Sequence, residues 1–197
     1  MRARSLTKEM SLASPRSKYL GYVRLALVYL FVALLIALSR PTPLLFVLGT
    51  LLVVAGESFR IWASGHLIKS LELIDSGPYA FTQNPLYLGR LLILTGFCVM
   101  ARSRYLLNWI ALALGYAVFF GYYIPRKLRV EGARLEKMHG GAFLHYRASV
   151  PILFPSFTRY PGKQTPWSFS RAVKNQEYLV LAGVSLALGF FAWKAWF

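Results

Sequence analysis

Glu131 is the acidic residue whose surroundings most suggest chemistry. It follows Leu128 by three residues and precedes Leu135 by four, so a helix places it within an apolar stripe rather than on the hydrated face. A carboxylate in that position needs a partner, or its pKa must rise. Two interpretations have equal weight: a group that grips a ligand or a catalytic arginine, and a structural salt bridge with Arg134 or Arg60.

Glu57 and Arg60 form a second charged group in an apolar part of the chain. They are three residues apart at the end of a long apolar run and share one face of a helix. Charges at that depth usually face a protein interior or a wet cavity, although an arginine near a span end also snorkels to the headgroups. His66, further on, is interpreted as a structural hydrogen-bonding residue.

The segment SGPYAFTQNPLYLG, residues 76–89, combines a turn with a helix start. Its Gly-Pro pair favours a turn, and Asn84 and Pro85 suit the N-cap and the first helical position. A helix N-terminus at a membrane surface can hold an anion, and Tyr79 and Tyr87 offer ring faces or hydroxyls. Taken alone, the segment is best interpreted as the simple start of a membrane span.

The cysteine and histidine content argues against disulfide and metal chemistry. Cys98 is the one cysteine and lies inside an apolar run, which excludes a disulfide within the chain and disfavours a thiolate site. His66, His139 and His145 lack the spacing of zinc ligands. We therefore predict no metal site.

The elements that must position these residues are helices in a membrane. Of the 197 residues, 56% are hydrophobic and 15% are charged, whereas a soluble domain carries about 25% charged residues. This apolar content excludes disorder and is too high for a small soluble globule. The net charge of +16 favours basic cytoplasmic segments over nucleic-acid binding, because no basic helix with interleaved aromatic residues stands apart from the apolar runs.

The apolar runs predict an all-α, polytopic membrane protein of about five transmembrane helices with a cytoplasmic helical cap. The runs cover residues 25–38, 44–63, 86–101, 105–124 and 178–196. Basic segments stay inside, so the N-terminus, residues 64–84 and residues 125–176 are expected in the cytoplasm and the C-terminus outside. A prokaryotic plasma membrane is the expected location.

The same patterns divide the chain into four predicted parts. They are a basic cytoplasmic tail (1–20), a membrane-embedded core (21–155), a connector with interfacial aromatic residues (156–176) and a C-terminal transmembrane helix (177–197). On this topology the segments 60–66, 77–89 and 131–155 all lie at the cytoplasmic face. We predict that they close one pocket, open to a water-soluble cofactor and, sideways, to lipid.

The motifs in these segments resemble the integral-membrane methyltransferases of the isoprenylcysteine carboxyl methyltransferase type, which are related to phospholipid methyltransferases. That family has a Gly-Pro-Tyr turn, an Arg-(His or Asn)-Pro-x-Tyr-x-Gly helix start, a Glu-Glu-x-x-Leu helix ending in Gly, and Tyr-x-x-x-Val-Pro before a final Pro. The corresponding segments here are GPYAFTQNPLYLG (77–89), EGARL (131–135) with Gly140, and YRASVP (146–151) with Pro155; RIWASGHLIK (60–69) also looks like bacterial members. The order and spacing of the motifs carry the resemblance, which covers residues 56–155.

The resemblance implies S-adenosylmethionine as the methyl donor and a lipophilic acceptor that enters from the bilayer, first of all an isoprenylcysteine-like carboxylate. Methyl transfer from a sulfonium is an in-line displacement that needs alignment and exclusion of water more than an acid or base. The positions that match the family's cofactor-binding motifs are Tyr79, Asn84, Pro85, Tyr87, Gly89, Glu131, Tyr146 and Pro151.

Two positions depart from the family pattern. Gln83 stands where Arg is usual, and Gly132 stands where the second Glu is usual. If the usual Arg orients an acceptor carboxylate, Arg60 or Arg90 is the substitute, and these two with Glu131 are the candidate catalytic residues. The alternatives are methyl transfer to a phospholipid or other small lipophilic acceptor, a catalytically silent relative that binds lipid or a partner protein, and a membrane reductase with a nicotinamide cofactor, which no acid–base pair favours.

Overall fold

The computed structural model describes residues 23, 27, 30, 31, 33–68, 72–103 and 106–197, and these residues form helices and loops with no strand. The chain divides into two compact units, Met1–Leu38 and Ser39–Phe197. In the first unit, residues 33–38 are helical. The predicted basic tail, residues 1–20, lies outside the described residues, and so do residues 25, 26, 28, 29 and 32 of the first predicted span, 25–38.

The described part of the second unit contains seven α-helices, which confirms the predicted all-α class. They are α1 (Pro43–His66), α2 (Pro85–Ala101), α3 (Leu107–Val118), α4 (Ile124–His139), α5 (Gly141–Ser149), α6 (Phe169–Lys174) and α7 (Glu177–Trp196). A 3-10 turn at Gly77–Ala80 precedes α2, and a π-helical turn at Phe119–Tyr123 joins α3 to α4.

Three helical segments among the described residues are long and apolar enough to cross a bilayer: Pro43–His66, Leu107–His139 and Glu177–Trp196. The apolar α2 is shorter. Its 17 residues extend about 26 Å, against about 30 Å of hydrocarbon. Large apolar side chains on these helices face outward and stay more than 60% exposed, as lipid-facing residues do; examples are Leu44, Leu51, Leu114 and Leu186.

Antiparallel α1 and α2 approach closely at two pairs of glycines. A Cβ atom on Gly49 would lie 2.6 Å from the carbonyl oxygen of Gly96, and a Cβ atom on Gly56 would lie 2.6 Å from that of Gly89. Small residues that let backbones touch are typical of helix pairs in membranes. The other face of α1 packs against antiparallel α7, where the Phe46 and Trp196 rings are 5.0 Å apart.

The helix that begins with α3 does not stop near residue 124, where the fourth predicted span ends. It continues through the π-helical turn into α4 as one 33-residue segment. Pro125 has no N–H to donate, and the N–H of Ile124 reaches the carbonyl of Phe119, five residues back, so the turn widens. At about 50 Å the segment exceeds the hydrocarbon thickness of about 30 Å, and Glu131 lies about 36 Å from its start.

The connector, residues 156–176, lies across the ends of the membrane helices. The N–H of Tyr160 donates to the carbonyl of Ala80 over 2.9 Å. The side-chain amide of Asn175 donates to the carbonyls of Ser64 and Leu67 at the end of α1, over 2.9 and 3.0 Å. These bonds add hydrogen-bond donors to carbonyls at and just beyond the ends of α1 and of the 3-10 turn, and they hold the connector at this end of the bundle.

Candidate functional site

A cavity of about 460 Å³ lies between the start of α2, the middle of α4, α5 and the loop before the 3-10 turn. Its volume falls within the range of small-molecule sites, about 300–1,000 Å³. Two of the three segments predicted to share a pocket, 77–89 and 131–155, meet here, whereas residues 60–66 do not line it. Six of the eight predicted cofactor-binding residues line the cavity: Tyr79, Asn84, Pro85, Tyr87, Glu131 and Tyr146.

Two tyrosines form the buried wall of the cavity. The hydroxyl of Tyr146 donates to the backbone carbonyl of Tyr79 over 2.8 Å, and both residues are buried. Burial raises the pKa of both hydroxyls, and the Glu131 carboxylate adds to the rise of the Tyr79 pKa. Both therefore stay protonated near neutral pH and act there as hydrogen-bond donors, which gives the site a neutral aromatic side.

Glu131 faces the cavity in a more open setting than the sequence predicted. Its side chain is 57% exposed, and Oε2 lies 3.2 Å from Nζ of Lys127, one helical turn earlier. The apolar stripe of α4, with Leu128 and Leu135, lines an open cavity rather than a packed core, which explains why a residue in the stripe stays hydrated. The expectation of a buried carboxylate is thus wrong.

Lys127 was missed by the sequence analysis, although it lines the cavity beside Tyr87 and Glu131. Its Nζ lies 4.5 Å from the ring centroid of Tyr87, within the range of a cation–π contact. The sequence did contain one indication of its role: Lys127 precedes Glu131 by four residues, and residues at this spacing share a helix face. Lys127, Glu131 and the Tyr87 ring together give the cavity one cationic, one anionic and one aromatic group.

Arg60 is buried away from the cavity, between α1 and α7. Its Nη2 atom lies 2.6 Å from Oε1 of Glu177, and its Nε atom lies 3.7 Å from Oε2 of Glu57. All three residues are less than a tenth exposed. The predicted interior setting of the Glu57–Arg60 pair is confirmed, but Arg60 is held by two carboxylates and is not placed to meet a ligand in the cavity.

Arg90, the other candidate substitute for the missing arginine, is exposed on α2. Its guanidinium carbon lies 5.3 Å from the Tyr87 ring centroid, and it is not among the residues that line the cavity. It therefore lies near the site without lining it.

Gly89 and Pro151, the two remaining predicted cofactor residues, make structural contacts outside the cavity. A Cβ atom on Gly89 would lie 2.5 Å from Cγ of Arg60 and 2.6 Å from the carbonyl of Gly56, so this glycine makes room for the buried arginine. The carbonyl of Pro151 accepts the backbone N–H of Gln83 over 2.9 Å. Neither residue lines the cavity.

Asn84 occupies the predicted N-cap position of α2, but its side chain makes no capping bond. Its Nδ2 donates to the carbonyl of Ile152 over 2.7 Å, which fixes the orientation of the amide. The residue is 3% exposed, it lines the cavity, and its Oδ1 atom has no hydrogen-bond partner. A buried acceptor without a partner is costly, and a ligand that brings an N–H donor would remove that cost.

Comparison with known proteins gives two relatives of low identity. No family model matches the chain, and no solved structure matches it. It is 29% identical over 184 residues to the cobalt-zinc-cadmium resistance protein CzcN of Cupriavidus metallidurans, a match that covers 87% of this chain and 81% of that protein. It is 28% identical over 123 residues to the nickel-cobalt-cadmium resistance protein NccN of Alcaligenes xylosoxydans xylosoxydans, a match that covers 61% of this chain and 54% of that protein.

The names of these relatives make metal ligands worth seeking in the cavity and elsewhere. Within the part of the chain that the structure describes, no group of three or more His, Cys, Asp or Glu side chains is arranged to hold a metal ion. The acidic residues that line the cavity are Glu72 and Glu131, and the structure pairs Glu131 with Lys127.

Proposed function

We propose that the protein is an integral-membrane methyltransferase that uses S-adenosylmethionine and acts on a lipophilic acceptor. The observation that carries the proposal is the cavity itself. Residues of the turn before α2 and of α4 and α5, which resemble the cofactor motifs of the isoprenylcysteine carboxyl methyltransferase type, line one space of suitable volume. The segments are far apart in the sequence, so this convergence is a property of the fold.

The lining residues suit a cationic, amine-bearing donor. The Tyr87 ring and the Glu131 carboxylate attract positive charge, which Lys127 supplies in this structure. A sulfonium or an ammonium group of the donor would take the place of Lys127 at these two partners. The free acceptor atom of Asn84 suits an N–H donor. The buried hydroxyls of Tyr79 and Tyr146 are neutral and supply no base, in keeping with a displacement that needs alignment and a dry site more than proton transfer.

An isoprenylcysteine-like carboxylate is the first proposed acceptor, and a phospholipid or another small lipophilic molecule is the alternative. Gln83 replaces the usual arginine, and its amide is committed to the carbonyls of Val150 and Arg147. Lys127 and Arg134 line the cavity and are the cations there that are able to hold an acceptor carboxylate.

We infer that the end of the bundle with the cavity faces the cytoplasm. The loops and helix ends on that side are rich in basic residues, which membrane proteins keep inside. The cavity is then supplied with the soluble donor from the cytoplasm and with the acceptor from the inner leaflet. A plasma membrane of a prokaryote fits the sources of both relatives.

Calorimetry with S-adenosylhomocysteine on the purified protein in detergent tests the proposal. We expect binding, and we expect Glu131→Gln to weaken it by about tenfold or more, the effect of losing one charge-assisted contact. Glu136→Gln is the matched control, because Glu136 is exposed on the same helix and does not line the cavity.

The other outcomes of the same titration separate the alternatives. Binding of a nicotinamide nucleotide in place of S-adenosylhomocysteine would indicate the reductase. Binding of neither would contradict the enzyme hypothesis and favour a silent relative that holds lipid or a partner protein. Equal affinities of the Glu131→Gln and Glu136→Gln variants would make Glu131 a scaffold residue.

A contribution to metal resistance is the second candidate, because both relatives bear that name. It is compatible with methyl transfer to a membrane component. In a host that lacks the gene, we expect the wild-type protein to restore growth in cobalt or cadmium and the Glu131→Gln variant to fail. If the wild-type protein and the Glu131→Gln variant both restore growth, the resistance does not depend on this residue of the cavity.

A further inference from the structure

Residues 150–157 leave the helical pattern while remaining beside a membrane helix. Helix α5 ends at Ser149, and no helix follows until α6. Leu153 is 5% exposed and packs against Leu88 and Leu91 of α2. Leu91 lies about 9 Å along the axis from the start of that helix, so an irregular segment reaches alongside the apolar part of α2.

The backbone of this segment is satisfied from within the protein. Four consecutive carbonyls, those of residues 150–153, accept hydrogen bonds from three consecutive residues, Thr82, Gln83 and Asn84. The pairs are Gln83 Nε2 with Val150 (2.5 Å), Gln83 N with Pro151 (2.9 Å), Asn84 Nδ2 with Ile152 (2.7 Å) and Thr82 Oγ1 with Leu153 (2.8 Å). Irregular backbone at membrane depth is tolerated only with such internal partners.

The outer side of the same segment is strongly apolar. Ile152 and Phe154 flank the buried Leu153 and are 41% and 68% exposed, and the Phe157 side chain is fully exposed. Three neighbouring large apolar side chains without cover are unusual at a surface that meets water. Leu153 packs against the apolar helix α2, so its exposed neighbours lie beside that helix.

Basic residues flank this apolar surface. Arg147 precedes the segment and Arg159 follows it, and both are exposed. Their charge complements anionic headgroups, and their long stems allow the guanidinium groups to reach the phosphate level. The combination of apolar side chains and flanking cations is the pattern of segments that insert at the membrane interface.

We propose that residues 152–157, here called the interfacial hook, insert Ile152, Phe154 and Phe157 into the headgroup–acyl boundary of an anionic bilayer. The hook acts in the leaflet beside the cavity. Asn84 holds the carbonyl of Ile152 and also lines the cavity, so insertion of the hook keeps the cavity at the surface of the lipid. This inference does not depend on the reaction that the cavity performs.

Spin labelling in vesicles of phosphatidylethanolamine and phosphatidylglycerol tests the hook. A nitroxide is attached at Phe157→Cys in a Cys98→Ala background, which removes the buried native thiol. We expect the label to collide more with apolar oxygen than with a water-soluble nickel complex. Lys163→Cys in the same background is the matched control at an exposed polar position, and its label should prefer the nickel complex.

Two results would overturn the proposal. If the nickel complex collides with the label at residue 157 as often as with the label at residue 163, the hook lies in water and not in the bilayer. A label that neither reagent reaches would mean that protein, either a second copy or a partner, covers the hook. Phe154→Cys gives an independent measurement, with the same expectation, should the first variant not fold.

Discussion

At the scale of single residues, position in the fold decides what each polar side chain does. Gln83 stands where the resembled family has an arginine, and from the sequence alone this departure only directed attention to Arg60 and Arg90 as substitutes. In the structure its amide holds the carbonyl of Val150, next to the bonds made by Thr82 and Asn84. The residue lines the cavity without bringing a charge to it, and its amide supports the segment after α5.

Thr82→Val tests this support. The hydroxyl of Thr82 is buried and donates to the carbonyl of Leu153 over 2.8 Å. Valine keeps the shape but leaves that carbonyl without a donor, so we expect the free energy of unfolding to fall by about 1–3 kcal/mol. Denaturation in mixed micelles measures the change. Thr158→Val, at an exposed position, should have little effect, and equal stabilities would show that the bond contributes nothing.

At the scale of helices, buried charge and glycine contacts hold α1 between its neighbours. Arg60 takes part in both the buried ion pairs and the glycine contacts. It binds Glu177 at the start of α7, and it crosses the space that Gly89 of α2 leaves open. The order of the helices around α1 therefore depends on a residue that the sequence presented as a candidate for catalysis.

Arg60→Ala should be strongly destabilising. The change leaves Glu57 and Glu177 buried without a cation, and breaking a buried ion pair in this way costs about 3–5 kcal/mol. Unfolding in mixed micelles, together with faster proteolysis around α7, checks the expectation. Arg129→Ala, on the exposed face of α4, serves as the comparison. A variant as stable as that control would rule out the buried ion pair.

Gly89→Ala should weaken the contact between α1 and α2. The new methyl group would lie 2.6 Å from the backbone of Gly56, and backbone cannot move aside as a side chain does. We expect a lower melting temperature than for Gly183→Ala, a change on α7 where a Cβ atom meets nothing within 4 Å. If both variants melt alike, the close approach of the two helices is not supported.

At the scale of the whole molecule, the long helix Leu107–His139 and the connector determine where the cavity lies. The helix carries Lys127 and Glu131 about 30–36 Å from its start, and the connector closes over the ends of α1 and of the 3-10 turn. The result is a cap of short helices and loops on one end of a bundle. The proposed cytoplasmic location of this cap follows from its positive charge.

Labelling of single cysteines tests that location. Lys163→Cys in the Cys98→Ala background places a thiol on the exposed connector. In intact cells we expect it to resist a membrane-impermeant maleimide and to react once the cells are opened. Ser103→Cys lies at the opposite end of α2, where helix α2 turns towards α3, and it should react from outside. The reverse pattern would invert the proposed orientation.

The sequence by itself determined the class of the protein and the starts of several elements. Apolar runs of spanning length favour helices in lipid, and the predicted spans 44–63, 86–101 and 178–196 coincide with α1, α2 and α7, whereas the fourth, 105–124, is only the first part of a longer helical segment. The Gly-Pro turn and Pro85 mark boundaries because they restrict the backbone locally. Of the eight residues that the resemblance of motifs assigned to the cofactor, six line the cavity, whereas Lys127 was missed.

Tertiary structure alone decided which groups meet. Arg60 and Glu177 pair across more than half of the chain, Gln83 reaches Val150, and Asn175 closes the end of α1, and no local pattern encodes contacts of that range. Glu131 stays hydrated because its stripe faces an open cavity, which helical periodicity cannot distinguish from a packed core. Periodicity specifies the face on which a side chain lies, whereas the neighbouring segment determines whether that face meets protein, lipid or water.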